Sequence, residues 1–295
     1  MKANNRLTIA IQKSGRLNTD SLDLLNRCGL KIRVNKGALL CRVENLPIDI
    51  LMVRDDDIPT FVMDEVSDLG IVGENVLFEQ TVASSNQNVE VIKKLGFGRC
   101  RLSIAMSDAI NFTGASMLAG KKIATSYPNL LAKYLAEQNI KAQIITISGS
   151  VEIAPSLGMA DAICDLVSTG RTLEEHNLKE SACLIQSQAV LIQAKTPLSA
   201  EKQQTLDLLL RRIEGVLKAQ ESKYIMFHAP KACIDAIKKL LPGCETPTIM
   251  PLEGSSDKVA VHAVAGEGVF WDTLEDLKKA GASSILVLPI EKMMN

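Results

Sequence analysis

Leu7-Thr-Ile-Ala-Ile11 is followed by the polar turn Gln12-Lys13-Ser14-Gly15-Arg16, and then by a run to Gly29 in which apolar residues recur at helical spacing. The first five residues read as a buried strand. Asn18-Thr19-Asp20 offers capping side chains for a helix, Leu22, Leu25 and Cys28 fall on its inner face, and Gly29 stops it. Ile48–Val53 repeats the strand signal. Asp57-Ile-Pro59 opens the next helix, with proline near the position where a missing N–H costs nothing, and Leu69–Val72 is a third apolar run. A β–helix–β–helix–β succession specifies an α/β sheet rather than an all-helical or sandwich fold.

A second series of the same kind begins near Arg101. Its strands are Leu102–Ala105, Lys122–Thr125, Gln143–Ile147 and Ala162–Val167, with helices expected at Asn129–Gln138, around Ser150–Leu157 and at Thr172–His176. An extended pair follows, Ser181–Ile185 and Ala189–Ile192. The helix from Ser199 to about Gln220 then carries Leu206, Leu209, Leu210, Ile213, Val216 and Leu217 on one face. The remaining residues change character. Tyr224–His228, Lys231–Leu241, Thr248–Leu252, Lys258–Val264, Val269–Ala280 and Ser284–Leu288 spell βαββαβ, the ferredoxin-like pattern, with Pro242-Gly243 and Gly281 where its helices should end. The expected architecture is α/β: two lobes plus a small C-terminal α+β domain, whose core Phe270 and the single Trp271 should fill.

Composition bounds what such a chain can do. The 295 residues carry 33 Lys+Arg against 34 Asp+Glu, a net charge of −1, with 3% aromatics. A nucleic-acid binder would show a basic excess or aromatic stacking platforms, so phosphate handling must come from a local site. The longest uncharged stretch, Ser181–Ala194, is too short and too polar to span a bilayer, and the N-terminus does not read as a signal peptide. Seven scattered cysteines and three histidines show neither C-x-x-C nor zinc-site spacing, which reads as small buried hydrophobes in a reducing compartment. No G-x-S-x-G elbow is present, and nothing favours a nucleophilic triad.

The most informative stretch is Ala160-Asp161-Ala-Ile-Cys164-Asp165-Leu-Val-Ser168-Thr169-Gly170-Arg171-Thr172. An apolar strand runs into a small, hydroxyl-bearing loop and a helix follows at once. Such a junction is either an anion site, with Ser168, Thr169 and Thr172 as added donors, or an ordinary capped turn. Gly170 permits positive φ, and Arg171 could add charge or face solvent. Asp165 would repel a phosphate unless it held sugar hydroxyls instead. Glu152, at another strand-to-helix junction, is either a first-turn helix acid or a second hydroxyl acceptor. Gln12–Arg16 is a cationic turn that suits an anion but lacks the G-x-x-x-x-G-K-[ST] frame. Gly70-Ile-Val-Gly73-Glu74-Asn75 and Gly96-Phe-Gly98-Arg99 read as glycine turns and fit no dinucleotide fingerprint. The Arg54-Asp55-Asp56-Asp57 cluster could coordinate Mg²⁺. The favoured reading has Asp57 capping its helix, its neighbours solvated and Arg54 facing the cleft.

Taken together, Gln12-Lys-Ser-Gly-Arg-Leu17, Pro47–Pro59, Asp68-Leu-Gly-Ile-Val-Gly-Glu-Asn75, Ile123-Ala-Thr-Ser-Tyr-Pro-Asn129, Gly149-Ser-Val-Glu152, Asp161–Thr172 and the Ser222–Met294 segment resemble, almost end to end, the long-form ATP phosphoribosyltransferases, which open histidine biosynthesis. The resemblance implies two lobes of the periplasmic-binding-protein type with a cleft between them. Residues 1–100 and about 185–222 would form the first lobe, 101–184 the second, and 223–295 a ferredoxin-like regulatory domain. It implies transfer of the phosphoribosyl group of phosphoribosyl pyrophosphate (PRPP) to N1 of ATP, with pyrophosphate released. Mg²⁺ would be required and held mainly by substrate phosphates, and the sequence does not identify any protein ligands for it. Feedback inhibition by L-histidine, dimers and hexamers, and a cytoplasmic location belong to the same expectation. By that resemblance Ser168, Thr169, Gly170, Arg171 and Thr172 hold the 5′-phosphate, and Asp165 and Glu152 hold the ribose hydroxyls. Lys13, Arg16 and Arg54 face pyrophosphate or ATP phosphates, and Glu74, Asn75 and Tyr127 line the nucleotide pocket. The acids Asp161 and Asp165 stand four apart, unlike the adjacent pair of type I phosphoribosyltransferases. A solute-binding sensor of the same architecture and a free-base phosphoribosyltransferase are the competing readings.

Overall fold

The computed structural model describes residues 5–33, 37–241, 247–266 and 271–293. The chain opens with β1 (Leu7–Gln12), α1 (Arg16–Arg27), β2 (Leu40–Arg42), β3 (Ile48–Val53), α2 (Ile58–Met63), β4 (Leu69–Gly73), α3 (Glu74–Ala83) and β5 (Glu90–Lys94). Next come β6 (Cys100–Ser107), β7 (Lys122–Thr125), α4 (Pro128–Glu137), β8 (Gln143–Thr146), β9 (Ala162–Val167), α5 (Arg171–Glu175) and β10 (Leu178–Ser187). β11 (Ala189–Gln193), α6 (Ala200–Gln220), β12 (Ser222–Pro230), α7 (Ile234–Leu240), β13 (Thr248–Pro251), β14 (Lys258–Gly266), α8 (Trp271–Lys279) and β15 (Ser283–Pro289) complete the chain.

The first sheet has the order β2-β3-β1-β4-β11-β5. Its centre is parallel, and Leu7, Ile9, Ala10 and Ile11 of β1 are fully buried, the near-continuous apolar run of a strand covered on both faces. Each such Leu or Ile contributes about 1.5–3 kcal/mol by leaving water. The second sheet has the order β10-β6-β9-β7-β8, with β7 parallel to both β8 and β9. One residue, Gln188, separates β10 of the second sheet from β11, which pairs antiparallel with β4 and β5 of the first. The two sheets belong to one compact unit, which spans Leu30–Thr205 and the N-terminal segment up to Asp23.

The other unit joins Leu24–Gly29 to everything from Leu206 onward. Its antiparallel sheet has the order β13-β14-β12-β15, the ferredoxin-like arrangement expected of βαββαβ. Ile225, Phe227 and Ala229 alternate inward on β12, Val259, Val261, Ala263 and Ala265 on β14, and Ile237 and Leu277 close the core from α7 and α8.

Several expectations need correction. α1 begins at Arg16, directly after Gly15 turns the chain at φ +101°, so Asn18 lies inside it and its Nδ2 donates instead to the Gln12 carbonyl at 2.6 Å. The Gly73-Glu74 turn is the start of a full helix, α3, whose four consecutive buried residues Glu74–Leu77 erase the one-sided pattern that would reveal it. Thr81 belongs to this helix. β5 was unforeseen because Glu90, Lys93 and Lys94 give it the charged look of a protected edge strand. The helix expected around Ser150–Leu157 shrinks to a single 3-10 turn, Val151–Ile153, since Pro155 removes a donor. Asp57 stands at the N-cap of α2 without bonding it through its side chain. Trp271 is 80% exposed at the first position of α8, where Leu274 and Leu277 do the packing, and Phe270 lies outside the described residues. Cys28, Cys41 and Cys164 are buried as expected, but Cys183 is exposed, and Cys244 lies outside the described residues. Among the described residues no helix is long and apolar enough to cross a membrane.

Candidate active site

Parallel strands deliver their C-terminal ends, and the loops that follow, to one edge of a sheet, where open α/β folds collect ligand-binding groups. In the second sheet that edge carries the residues after Thr125, Thr146 and Val167. The loop after β9 bends at Gly170, which adopts φ +88° with open space where a side chain would sit, so backbone conformation rather than crowding demands glycine. A cavity of about 260 Å³ lies under this bend. Asp165, Ser168, Thr169, Gly170 and Thr172 line it, and so does Glu152, delivered from the 3-10 turn after β8. Two carboxylates, three hydroxyls and a glycine bend thus meet in one small space. Arg171 stands apart: it is exposed and its Nε pairs with Glu175 at 3.0 Å along α5.

Asp165 accepts the Leu166 N–H at 2.8 Å. Burial pushes its pKa up, and the neighbouring Glu152 charge adds to the rise. A carboxylate under such pressure is satisfied best by donors from a ligand. Asp161, at the opposite end of β9, accepts the Lys122 N–H at 2.8 Å and serves the sheet instead.

A neighbouring cavity of about 540 Å³ opens between the two lobes. The first sheet's side supplies Asp55, Asp56, Val76, Glu79 and Gln80; the second supplies Ser126, Tyr127, Pro128 and Thr146–Gly149. Tyr127 is on the wall of this larger cavity. Burial raises its pKa, and the charges of Asp165, Asp56 and Asp55 raise it further, so its hydroxyl stays protonated as a donor and acceptor. Across the cleft, Glu79 of α3 accepts the Asn129 and Leu130 N–H groups at 2.8 and 2.9 Å, capping α4 from the other lobe.

The first-lobe candidates divide. Gln12 and Val53 end side by side on β1 and β3, and the Lys13 N–H donates to the Val53 carbonyl at 2.7 Å, so Lys13, Arg16 and Arg54 project from the same sheet edge. None of the three lines either cavity; Asp55 and Asp56 occupy the wall expected of Arg54. Glu74 is buried and spent internally, facing Lys94 at 3.3 Å and accepting the Gln188 N–H at 3.3 Å. Asn75 donates to the Tyr127 hydroxyl at 2.9 Å and accepts from Ser187 Oγ at 2.8 Å, a bridge between lobes rather than an open contact. Tyr127 alone of the three expected nucleotide-pocket residues lines the cavity. Glu79, Ser126, Thr146 and Gly149 were missed. Their shared signal is position: the last three follow or end parallel strands.

Among the described residues no group of three His, Cys, Asp or Glu side chains could hold a metal ion by itself. Mg²⁺ is commonly bound by one or two carboxylates together with substrate phosphates. Asp55 and Asp56 fit that donor set, since the two adjacent carboxylates both line the cavity between the lobes.

A family described as ATP phosphoribosyltransferase (HisG) matches residues 54–215, more than half of the chain. A second, the HisG C-terminal domain, matches residues 219–292. Among solved structures, the ATP phosphoribosyl transferase (HisG:HisZ) complex from Thermotoga maritima is similar at 27% identity and TM-score 0.59, over 70% of this chain and 98% of that one. The alkanesulfonate-binding protein SsuA from Xanthomonas axonopodis pv. citri follows at 17% identity and TM-score 0.46, over 72% of this chain and 74% of that one. The arginine-bound form of truncated ArgBP from T. maritima stands at 12% and 0.45, over 72% and 97%. On the two family matches and the Thermotoga likeness, the chain belongs to the ATP phosphoribosyltransferase family in its long form, the pentosyltransferases of histidine biosynthesis.

Proposed function

We propose that the chain transfers the 5-phosphoribosyl group of PRPP to N1 of ATP, releasing pyrophosphate, as the first and histidine-inhibited step of histidine biosynthesis. The observation that carries this reading is the shared cavity of Asp165, Glu152 and the Ser168–Thr172 bend. In it, Ser168, Thr169, Thr172 and the backbone at Gly170 hold the 5′-phosphate, while Asp165 and Glu152 accept the ribose 2′- and 3′-hydroxyls. The lobe-spanning cavity takes ATP against Tyr127, and Lys13 and Arg16 reach the polyphosphates from the first sheet's edge. Displacement at the anomeric carbon passes through a sugar-cation-like state, so positioning two polyanions and placing carboxylates near the ribose is the main catalytic work. Asp55 and Asp56 would hold Mg²⁺ together with the substrate phosphates, and the cation would supply charge neutralisation to the departing pyrophosphate. No covalent nucleophile is needed.

The domain roles are part of the same proposal. Residues 1–100 with about 185–222, and residues 101–184, form the catalytic lobes. Residues 223–295 bind histidine, and the enzyme works in the cytoplasm as dimers and hexamers. The test is pyrophosphate release from ATP, PRPP and Mg²⁺, repeated with histidine and with a chain ending near Lys223. Release should need both substrates, fall with histidine in the full chain, and resist histidine in the shortened one once its oligomer size is known. Release with a free base in place of ATP, or tight PRPP binding without turnover, overturns the assignment.

A further inference from the structure

Beside the donor bend, outside both cavities, lies an ion-paired cluster that the proposed mechanism does not use. Arg101, on β6, stands opposite Val167 of β9, and Ser103 stands opposite Asp165. Residues opposed in an antiparallel pair share a face, so Arg101, Ser103 and Asp165 lie on the same side of the sheet. Glu180 of β10 accepts Arg101 Nε at 2.6 Å, a second Arg101 N–H from Nη2, and the Ser103 hydroxyl at 2.7 Å. Ser103 is fully buried. The guanidinium holds the Glu180 carboxyl below the usual carboxylate range. A third Arg101 N–H, from Nη1, donates to the Ser168 carbonyl at 3.2 Å, the first residue of the bend.

A trans peptide is planar, with its C=O and N–H pointing in opposite directions. Tying the Ser168 carbonyl to Arg101 on one side therefore turns the Thr169 N–H towards the other. Ser168 and Thr169 both line the cavity under the bend. We propose that Arg101, clamped in its fork by Glu180, is a positioning residue that sets the Ser168–Thr169 peptide so that its N–H serves the 5′-phosphate of PRPP. This rests on the reading of the bend as the phosphate site. A guanidinium suits the task because its planar fork can hold a carboxylate with two N–H groups and still aim a third, which an ammonium on a flexible stem cannot do in fixed geometry.

The test compares R101K, R101Q, E180Q and T172V in the full chain, with PRPP varied at saturating ATP, ATP varied at saturating PRPP, and a thermal melt of each. R101K and R101Q should both raise the PRPP KM by about tenfold, the effect of losing one charge-assisted hydrogen bond, and leave the ATP KM within about twofold. E180Q should follow in the same direction. R101K behaving as wild type while R101Q fails would mean that charge alone matters, and would overturn the proposal. So would a rise in both KM values together with a lowered melting temperature, since that marks a purely structural role. T172V separates the underlying reading. A raised PRPP KM in T172V with an unmoved one in R101K defeats the clamp alone, whereas an unmoved PRPP KM in T172V defeats the phosphate assignment beneath it.

Discussion

The loops that leave β1 and β9 occupy the same place in their sheets, each at the end of a parallel strand and at the start of a helix, yet they are built differently. The β1 loop presents Lys13 and Arg16 on exposed stems around Gly15. The β9 loop presents hydroxyls around Gly170, backed by the half-buried Asp165 and braced from Arg101. Exposed cationic side chains suit a partner that is all phosphate, and hydroxyls set beside carboxylates suit one that offers both sugar hydroxyls and a phosphate. Topology therefore fixes where a site forms, and loop chemistry fixes what it can grip.

The sharpest way to break this contrast is D165N. It should lower kcat/KM for PRPP by about ten- to a hundredfold, because a charged hydrogen-bond acceptor becomes a neutral one. The same variant should melt at or above the wild-type temperature near neutral pH. Burial raises the Asp165 pKa in the folded chain, so the stability it lends is present at low pH and lost as pH rises through that value; Asn removes the penalty. A clear drop in melting temperature would show that Asp165 holds the fold. For the wild type, the PRPP KM should climb as pH falls, beginning above the range where an ordinary aspartate protonates, and D165N should flatten that rise.

R16Q or K13Q probes the other loop. Each should raise the ATP KM by about threefold, and the difference should shrink with added salt because exposed charges are screened. A salt-independent loss of tenfold or more would mean that the β1 loop is as rigid a cradle as its counterpart. The smallest effect belongs to R171Q. With Arg171 exposed and paired along its own helix, the PRPP KM should change by about twofold or less. A large rise would return Arg171 to the phosphate.

β3, β7 and β9 were legible because each is a short, mostly apolar run bounded by turn residues, and each ends where the residues say it should. α3 was not legible, because buried Glu74 and Asn75 open it and the partners that satisfy them, Lys94, Tyr127, Ser187 and Gln188, all lie outside the local segment. The donor bend could be read from local spacing, since Asp165 through Thr172 are contiguous. The lobe-spanning cavity could not, because its walls come from α3 and from three strand ends that meet only in the fold. Trp271 misled for a simpler reason: a lone large aromatic in a small domain suggests core, and the smaller Leu274 and Leu277 fill that space instead.

The step through Gln188 has a consequence for biosynthesis of the chain. Among the described residues β5 has one strand neighbour, β11, and β11 is synthesised only after every strand of the second sheet. Until then β4 and β5 present unmatched edges, so the first lobe cannot mature as an autonomous nascent domain. A gene cut between the lobes would yield two fragments, neither with a finished sheet, and complementation by separate halves would require the β11 segment to travel with the N-terminal piece.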